Sequence, residues 1–234
     1  MASVLTRLAF PTGGLLARYG RWSLRPGRLR FEGLPNLLRP FIGVSWHENT
    51  LVGLTMYSFL HDAGSYSAFV PPGLLGVMMR GWLAGYGCVE PAAIPKDGTG
   101  NAQAALKHMA RAVHGGLNLI IAVDGPHGPP LRVRPGALWL ARLTGRPVIP
   151  TGVAAWPSLR WPKWDRHVVP LPGARCALVA GEPLWVPRGT DLEPLRELLA
   201  ERLRHENRRA WDLVSECRRL PAGASPPNGG DEHA

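Results

Sequence analysis

The sequence is short of acidic side chains. Its 234 residues include 17 Asp and Glu against 27 Lys and Arg, which gives a formal net charge of +10. This imbalance favours partners that carry negative charge, such as anionic lipid, nucleic acid or a phosphorylated substrate. Hydrophobic residues make up 45% of the chain and charged residues 19%. This composition excludes a disordered protein and fits one globular domain.

Cysteine is also scarce. Cys88, Cys176 and Cys217 are odd in number and widely spaced, and none belongs to a CxxC pair. This pattern argues against a disulfide framework and against a zinc site, so we expect buried, reduced thiols. Because no His, Asp or Glu cluster has the spacing of metal ligands along the chain, we predict that no metal is bound.

Long hydrophobic runs are missing as well. No run approaches the roughly 18 apolar residues that span a bilayer, and the uncharged candidate at 50–60 is too short and polar. Pro11, Gly13 and Gly14 interrupt the N-terminus, and no signal cleavage site stands out, although an arginine-rich transit peptide fits the pattern. We therefore expect a peripheral protein at the cytoplasmic face of the inner membrane, or in the cytosol.

Arginine is concentrated near the N-terminus. Residues 1–40 hold seven arginines and one acid, Glu32, mixed with leucine and aromatic residues. This mixture is typical of a segment that lies in a membrane interface, and the alternative is a poorly ordered basic arm. We assign 1–27 to a basic amphipathic segment, 28–217 to the folded domain, and 218–234, rich in Pro, Gly and Ala, to a disordered tail.

Strand and helix signals alternate between these ends. The strongest strand signal is LNLIIAV at 117–123, which is apolar, β-branched and followed by a loop rich in Pro and Gly. The alternation predicts a single α/β domain with a mixed, largely parallel central sheet flanked by helices, and functional loops where strands end. Predicted strands cover 41–46, 66–70, 117–123, 148–153 and 176–180, and predicted helices cover 49–60, 74–86, 101–113, 137–143 and 191–216.

His47 follows a buried strand in the stretch SWHEN, where a rigid backbone can present a side chain to a ligand. A histidine near its ordinary pKa can remove a proton from a hydroxyl group. A histidine beside tryptophan also fits a purely structural role.

A second candidate site is VDGPHGP at 123–129, where Asp124 comes directly after the strongest strand. The loop that follows can cradle an anion on its backbone N–H groups, and Arg132 and Arg134 add positive charge. The alternative is an ordinary turn with a capping aspartate. The loop residues concerned are Gly125, Pro126, His127 and Gly128.

Three tryptophans, Trp156, Trp161 and Trp164, lie among basic residues. This mixture suits a membrane interface or nucleic-acid stacking, and core packing explains it equally well. We predict no nucleic-acid partner, because the basic residues concentrate near the N-terminus and no recognition motif is present.

Read together, these stretches resemble the lysophospholipid acyltransferase superfamily, and more closely its small bacterial branch, a domain of unknown function related to the lipid A acyltransferases. The resemblance covers about 28–217. It implies the glycerolipid acyltransferase-like fold and an O-acyltransferase at the membrane. Such an enzyme moves a fatty acyl group from the co-substrate acyl-CoA or acyl-carrier protein to a lipid or lipid-sugar hydroxyl, with no cofactor. The matching stretches, in order, are LRFEGL, IGVSWHE, LIIAVDGPHGP, RVRPGALWLARLTGRPVIPTGVAA and KWDRHVVPLPGARCALVAGEPLWVP.

The resemblance also implies roles for particular residues. His47 matches the general base of the superfamily, and Asp124 and Gly125 match the acid and glycine that bind the acceptor. His127 stands where the branch usually has arginine, so Arg132 or Arg134 is expected to be the basic partner. Lys96 lies in a stretch that departs from the branch pattern and is expected to supply a missing charge.

One departure concerns the catalytic pair. The superfamily usually has an aspartate five residues after the histidine, and this chain has Val52 there. Glu48 or Asp124 is then the candidate to orient His47, so the predicted catalytic set is His47, Glu48 and Asp124. The same departure favours an alternative: a non-catalytic membrane lipid-binding protein that keeps the acyltransferase fold.

Overall fold

The computed structural model describes residues 4–60, 65–71, 73–89, 92–93, 102–125 and 128–216. Within these residues a central sheet has the strand order β1-β7-β6-β2-β5-β3-β4, and its one antiparallel pairing joins β6 to β7. The mixed, largely parallel sheet predicted from the sequence is thus confirmed. The strands are β1 (Leu29–Glu32), β2 (Ile42–Ser45), β3 (Tyr66–Val70), β4 (Ala92–Ala93), β5 (Asn118–Ala122), β6 (Val148–Arg160) and β7 (Val168–Ala180).

Helices cover both faces of this sheet. They are α1 (Val4–Ser23), α2 (Thr50–Tyr57), α3 (Gly73–Ala84), α4 (Ala102–His114), α5 (Gly136–Thr144) and α6 (Leu192–Glu216). Helices α4, α5 and α6 share one buried apolar cluster with β2 and β5, and α1, α2 and α3 share another with β3. Burial on both faces explains why the parallel strands have continuous apolar sequences.

The predicted elements are present, and their bounds differ most at β6 and β7. Both strands are 13 residues long, because beyond the sheet they pair with each other as an antiparallel ribbon. The outer half of β6 is partly exposed, so it lacks the apolar run that marks a strand in the sequence. The short strands β1 and β4 were not predicted, since four and two residues are too few to give a periodic signal.

The N-terminal segment forms helix α1, which crosses α3 at a very short distance. A methyl group on Gly13 would lie 1.9 Å from the Met78 carbonyl oxygen, and one on Gly81 would lie 2.0 Å from the Phe10 carbonyl oxygen. Such close packing leaves little room for large side chains between the two helices. The large apolar side chains of α1 are therefore exposed. Six of them are 46–67% exposed: Leu8, Phe10, Leu15, Leu16, Tyr19 and Trp22. No helix in the described parts of the chain is long and apolar enough to cross a membrane.

Two of the cysteines behave as predicted. Cys88 and Cys176 are buried free thiols, and burial raises the pKa of each to about 12. Cys217 and the tail at 218–234 lie outside the described residues.

Candidate active site

His47 and Asp124 lie side by side because their strands are neighbours. Strands β2 and β5 are parallel, with Ser45 opposite Ala122, and each candidate residue follows two positions later. The two residues therefore meet at the carboxyl edge of the sheet, where α/β proteins commonly bind ligands. The Asp124 Oδ1 atom accepts a hydrogen bond of 2.8 Å from the backbone N–H of His47.

The Asp124 carboxylate holds main chain on both sides. Its second oxygen accepts a hydrogen bond of 3.0 Å from the backbone N–H of Leu131, and the residue is only 2% exposed. Burial raises the pKa of Asp124, and these backbone hydrogen bonds oppose that rise. Asp124 therefore fixes the loop and the backbone of His47, which differs from the alternative in which it orients the imidazole ring.

The imidazole ring of His47 is surrounded by the connection between β6 and β7, residues 161–167. Its Nδ1 atom lies 3.2 Å from Oδ2 of Asp165, a hydrogen-bonding distance, although the angle falls outside hydrogen-bonding geometry. The ring stacks on His167, with centroids 4.8 Å apart, and lies at a tilt against Trp164, with centroids 5.2 Å apart. About a quarter of the His47 side chain, 24%, remains exposed.

The surroundings of His47 keep it neutral. Burial lowers the pKa of His47 below its ordinary value of 6.5, and the neighbouring His167 lowers it further. The carboxylates of Asp165 and Asp124 act in the opposite direction but do not cancel these effects. At neutral pH the ring is therefore an unprotonated base, the state that can accept a proton.

Gly125 leaves space for the other edge of the ring. A methyl group at Gly125 would lie 2.5 Å from Cδ2 of His47 and 3.2 Å from Nε2. A side chain at this position would therefore push the ring away, so the glycine is needed for His47 to hold its place. The Nδ1 side of the ring faces Asp165, and the Nε2 side lies over the loop that follows β5.

The Glu48 carboxylate is paired with an arginine at the end of β6. Glu48 is 7% exposed and forms an ion pair with Arg160, with 2.8 Å between Oε2 and Nη1. This ion pair links Glu48, the residue after His47, to Arg160 at the end of β6. The 161–167 connection begins directly after Arg160. Glu48 stays a predicted member of the catalytic set.

A cavity of about 380 Å³ opens beside His47. This is the size range of small-molecule sites in proteins. Its polar lining consists of Ser45, His47, Thr50 and Arg134, with the backbone of two glycines. The apolar lining comes from Leu54, Ala68, Phe69, Met79, Leu83, Ala105, Leu106, Ile120, Ile121, Ala122, Val123 and Ala137.

The predicted anion-binding residues divide into three groups. Arg134 lines the cavity, and its guanidinium donates a hydrogen bond to the carbonyl oxygen of Gly128. Arg132 is exposed and does not belong to the described cavity lining. Lys96, Pro126 and His127 lie outside the described residues.

His47, Asp165 and His167 have potential metal-donor atoms within 4.8 Å of one another. Their geometry does not suit an ion, however. The two rings are stacked with an interplanar angle of only 22°. Nitrogen lone pairs lie in the ring planes, so nearly parallel rings cannot both direct them at one ion about 2.1 Å away. The cluster is better described as two histidines that share a carboxylate.

Comparisons with known proteins support the fold. No family model matches the chain. A stretch of 139 residues, 59% of the chain, is 26% identical to an uncharacterized protein of Rickettsia prowazekii (strain Madrid E) and spans 61% of that protein's length. The crystal structure of the 1-acyl-sn-glycerophosphate (LPA) acyltransferase PlsC from Thermotoga maritima matches with a TM-score of 0.53 and 19% identity, covering 89% of this chain and 79% of that one. The chain thus has an α/β fold similar to that of this acyltransferase.

Proposed function

We propose that this protein is an O-acyltransferase that moves a fatty acyl group from a thioester donor to a hydroxyl group of a lipid or lipid-sugar. The observation that carries the proposal is the position of a neutral histidine, His47, at the polar end of a largely apolar cavity. A base beside an apolar cavity suits a reaction between a hydroxyl group and a fatty acyl thioester. The fold shared with a glycerophosphate acyltransferase agrees with this proposal.

In the proposed reaction, Nε2 of His47 removes the proton from the acceptor hydroxyl as its oxygen attacks the thioester carbonyl carbon. A new C–O bond forms, and the C–S bond breaks when the tetrahedral intermediate collapses. The imidazolium then returns its proton to the leaving thiolate, which restores neutral His47 and releases a free thiol. No other reactant is needed.

We propose that the two substrates bind in different surroundings. The apolar walls contributed by β3, β5, α3 and α4 suit the hydrocarbon chain, whose burial stabilises the complex by about 0.8 kcal/mol per methylene. Arg134 stands at the polar end and suits a phosphate of the donor or the acceptor. Arg132 and Lys96 stay predicted contributors to this charge.

We also propose that the protein works on a membrane surface, at the cytoplasmic face. Helix α1 exposes six large apolar side chains next to the exposed Arg18 and Arg21, which suits anionic lipid. The segment that follows α1 enters β1, and β1 pairs with the C-terminal part of β7. Through β6, this part of β7 lies beyond the carboxyl end of β2. The end of α1 is therefore on the same side of the sheet as His47, so a lipid acceptor would reach the site from the bound membrane.

The proposal is tested by lipid mass spectrometry of cells that carry the wild type, His47→Ala, His205→Ala or no copy of the gene. His205 lies on α6 with 67% of its side chain exposed, so its substitution controls for the loss of a histidine away from the site. We expect one acylated lipid in the wild type and the His205→Ala strain. The same lipid should fall by about 10²-fold or more in the His47→Ala strain and be absent without the gene.

The lipid that disappears would identify the acceptor class. If the His47→Ala strain matches the wild type while the strain without the gene differs, the protein acts by binding lipid and not by catalysis. That result would contradict the proposal and favour the non-catalytic alternative.

A further inference from the structure

Asp165 is a buried acid in an exposed, basic connection. Its neighbours Trp164 and Arg166 are exposed, whereas Asp165 is 8% exposed. Among the described residues, two histidine rings lie within 4 Å of its Oδ2 atom, His47 at 3.2 Å and His167 at 3.4 Å. The Oδ1 atom has no hydrogen-bond partner among the described residues, so the rings beside Oδ2 are the groups placed to stabilise this buried carboxylate, which is costly to leave unpaired.

The connection that carries Asp165 is held in a fixed shape. The backbone N–H of Trp161 donates a hydrogen bond of 2.9 Å to the carbonyl oxygen of His167, which joins the two ends of the connection. Within it, the backbone N–H of Arg166 donates a hydrogen bond of 3.0 Å to the carbonyl oxygen of Lys163. The ion pair of Arg160 with Glu48 fastens the same end of β6 to the residue that follows His47. The backbone is therefore arranged to bring Asp165 against the imidazole ring.

We propose that Asp165 is the positioning residue for His47 and takes the place of the acid that the chain lacks on α2. The inference rests on the proposed function. Position 52, where that acid would stand, holds a valine that packs in the core with Met56 and Val153. Asp165 lies in the connection between β6 and β7, and its carboxylate faces Nδ1 of His47. In the proposed reaction the other nitrogen, Nε2, takes the proton from the acceptor hydroxyl.

This arrangement fixes which nitrogen of His47 carries the hydrogen. A carboxylate at 3.2 Å from Nδ1 favours the tautomer with hydrogen on Nδ1, and this leaves the Nε2 lone pair free to act as the base. The carboxylate also stabilises the imidazolium that forms during the reaction.

His167 has a supporting part in this arrangement. Its Nε2 atom lies 3.4 Å from the same Asp165 oxygen that faces His47, and its ring stacks on the His47 ring. It can therefore contact the same carboxylate oxygen while its stacked ring restricts rotation of the His47 ring. The site is thus a histidine–aspartate–histidine group in which His47 alone lines the cavity.

The test measures the tautomer of His47 by ¹⁵N NMR on histidine-labelled protein after dialysis against a chelator, with the His47 signal identified by its loss in His47→Gln. We expect the Nδ1–H form in the wild type and in Asp212→Asn, which removes an exposed acid on α6. In Asp165→Asn that preference should be lost. In an acyl-transfer assay, kcat of Asp165→Asn should fall by about 10²-fold relative to the wild type, with little change in KM.

An unchanged His47 tautomer in Asp165→Asn would overturn the inference. If Asp165→Asn fails to fold, Asp165→Ser provides the same reading with a smaller polar side chain. The NMR measurement does not depend on acyl transfer. A lost tautomer preference in a protein that transfers no acyl group would therefore uphold the positioning role and reject the proposed function.

Discussion

At the scale of single residues, the lowered pKa of His47 predicts how activity depends on pH. Burial and the nearby His167 hold the pKa of His47 below 6.5, so the ring is neutral at pH 7 and becomes protonated only as the pH falls further. A protonated ring cannot act as a base, so kcat/KM should be flat near pH 7 and decline with a midpoint below 6.5. The measurement is kcat/KM across pH 5 to 8, and a midpoint above 6.5 would contradict the prediction.

Two substitutions should move this midpoint in opposite directions. Asp165 raises the pKa of His47, so Asp165→Asn should shift the midpoint to lower pH in the activity that remains. His167 lowers the pKa of His47, so His167→Gln should shift the midpoint to higher pH. Asp124 also faces the ring and is unchanged in both variants, so the difference between them reports only on the two altered neighbours. Shifts in the same direction would show that the substitutions act through unfolding.

The candidate site shows what a sequence can and cannot reveal about single residues. His47 and Asp124 were found because each follows a buried strand, and the carboxyl ends of neighbouring parallel strands meet in space. Asp165 was missed because its contact with His47 joins segments far apart in the chain. Its sequence signal is slight: one acid between Trp164 and Arg166 in an otherwise basic stretch.

At the scale of secondary-structure elements, helix α1 yields a prediction about membrane binding. Leu15 and Trp22 are seven residues apart, so they lie on one face of the helix, and they are 63% and 67% exposed. Each large apolar side chain that enters a bilayer contributes about 1.5–3 kcal/mol. The double variant Leu15→Ser/Trp22→Ser should therefore bind vesicles with anionic lipid at least about tenfold more weakly than the wild type, measured by co-sedimentation.

The control for α1 is Trp185→Ser. Trp185 is 54% exposed and follows Leu184, which pairs with Val148 at the first residue of β6, on the opposite edge of the sheet from His47. This variant should bind vesicles as the wild type does. Equal losses in both variants would show that any exposed tryptophan supports adsorption. Retention on DNA at moderate salt would favour a nucleic-acid partner instead.

The elements that could be predicted from the sequence are those whose burial leaves a recognisable run of apolar residues. Strands β2, β3 and β5 are buried on both faces and give apolar runs, whereas β1 is short and half exposed. The amphipathic composition of 1–27 was evident. Its packing was not, because the glycine contacts between α1 and α3 depend on how two distant helices meet.

At the scale of the whole molecule, the cavity lies between sheet and helices, and its lining residues are spread from Ser45 to Ala137. Strand β2 ends two residues before His47, and helix α4 contacts the edge strand β4, three strands away from β2 in the sheet. Ala105 of α4 lines the cavity, whereas the adjacent Ala104 is exposed and is not part of the lining. These two residues form a matched pair for testing whether the cavity holds the acyl chain.

Ala105→Leu should shorten the acyl chain that the enzyme prefers, because the larger side chain fills apolar space that the hydrocarbon would occupy. Each methylene that no longer fits should lower kcat/KM about fourfold, since its burial is worth about 0.8 kcal/mol. The measurement compares kcat/KM for a series of acyl donors of increasing length. Ala104→Leu should keep the wild-type preference, because its side chain points away from the cavity. A loss in Ala105→Leu that is equal for short and long chains would mean that the hydrocarbon binds elsewhere.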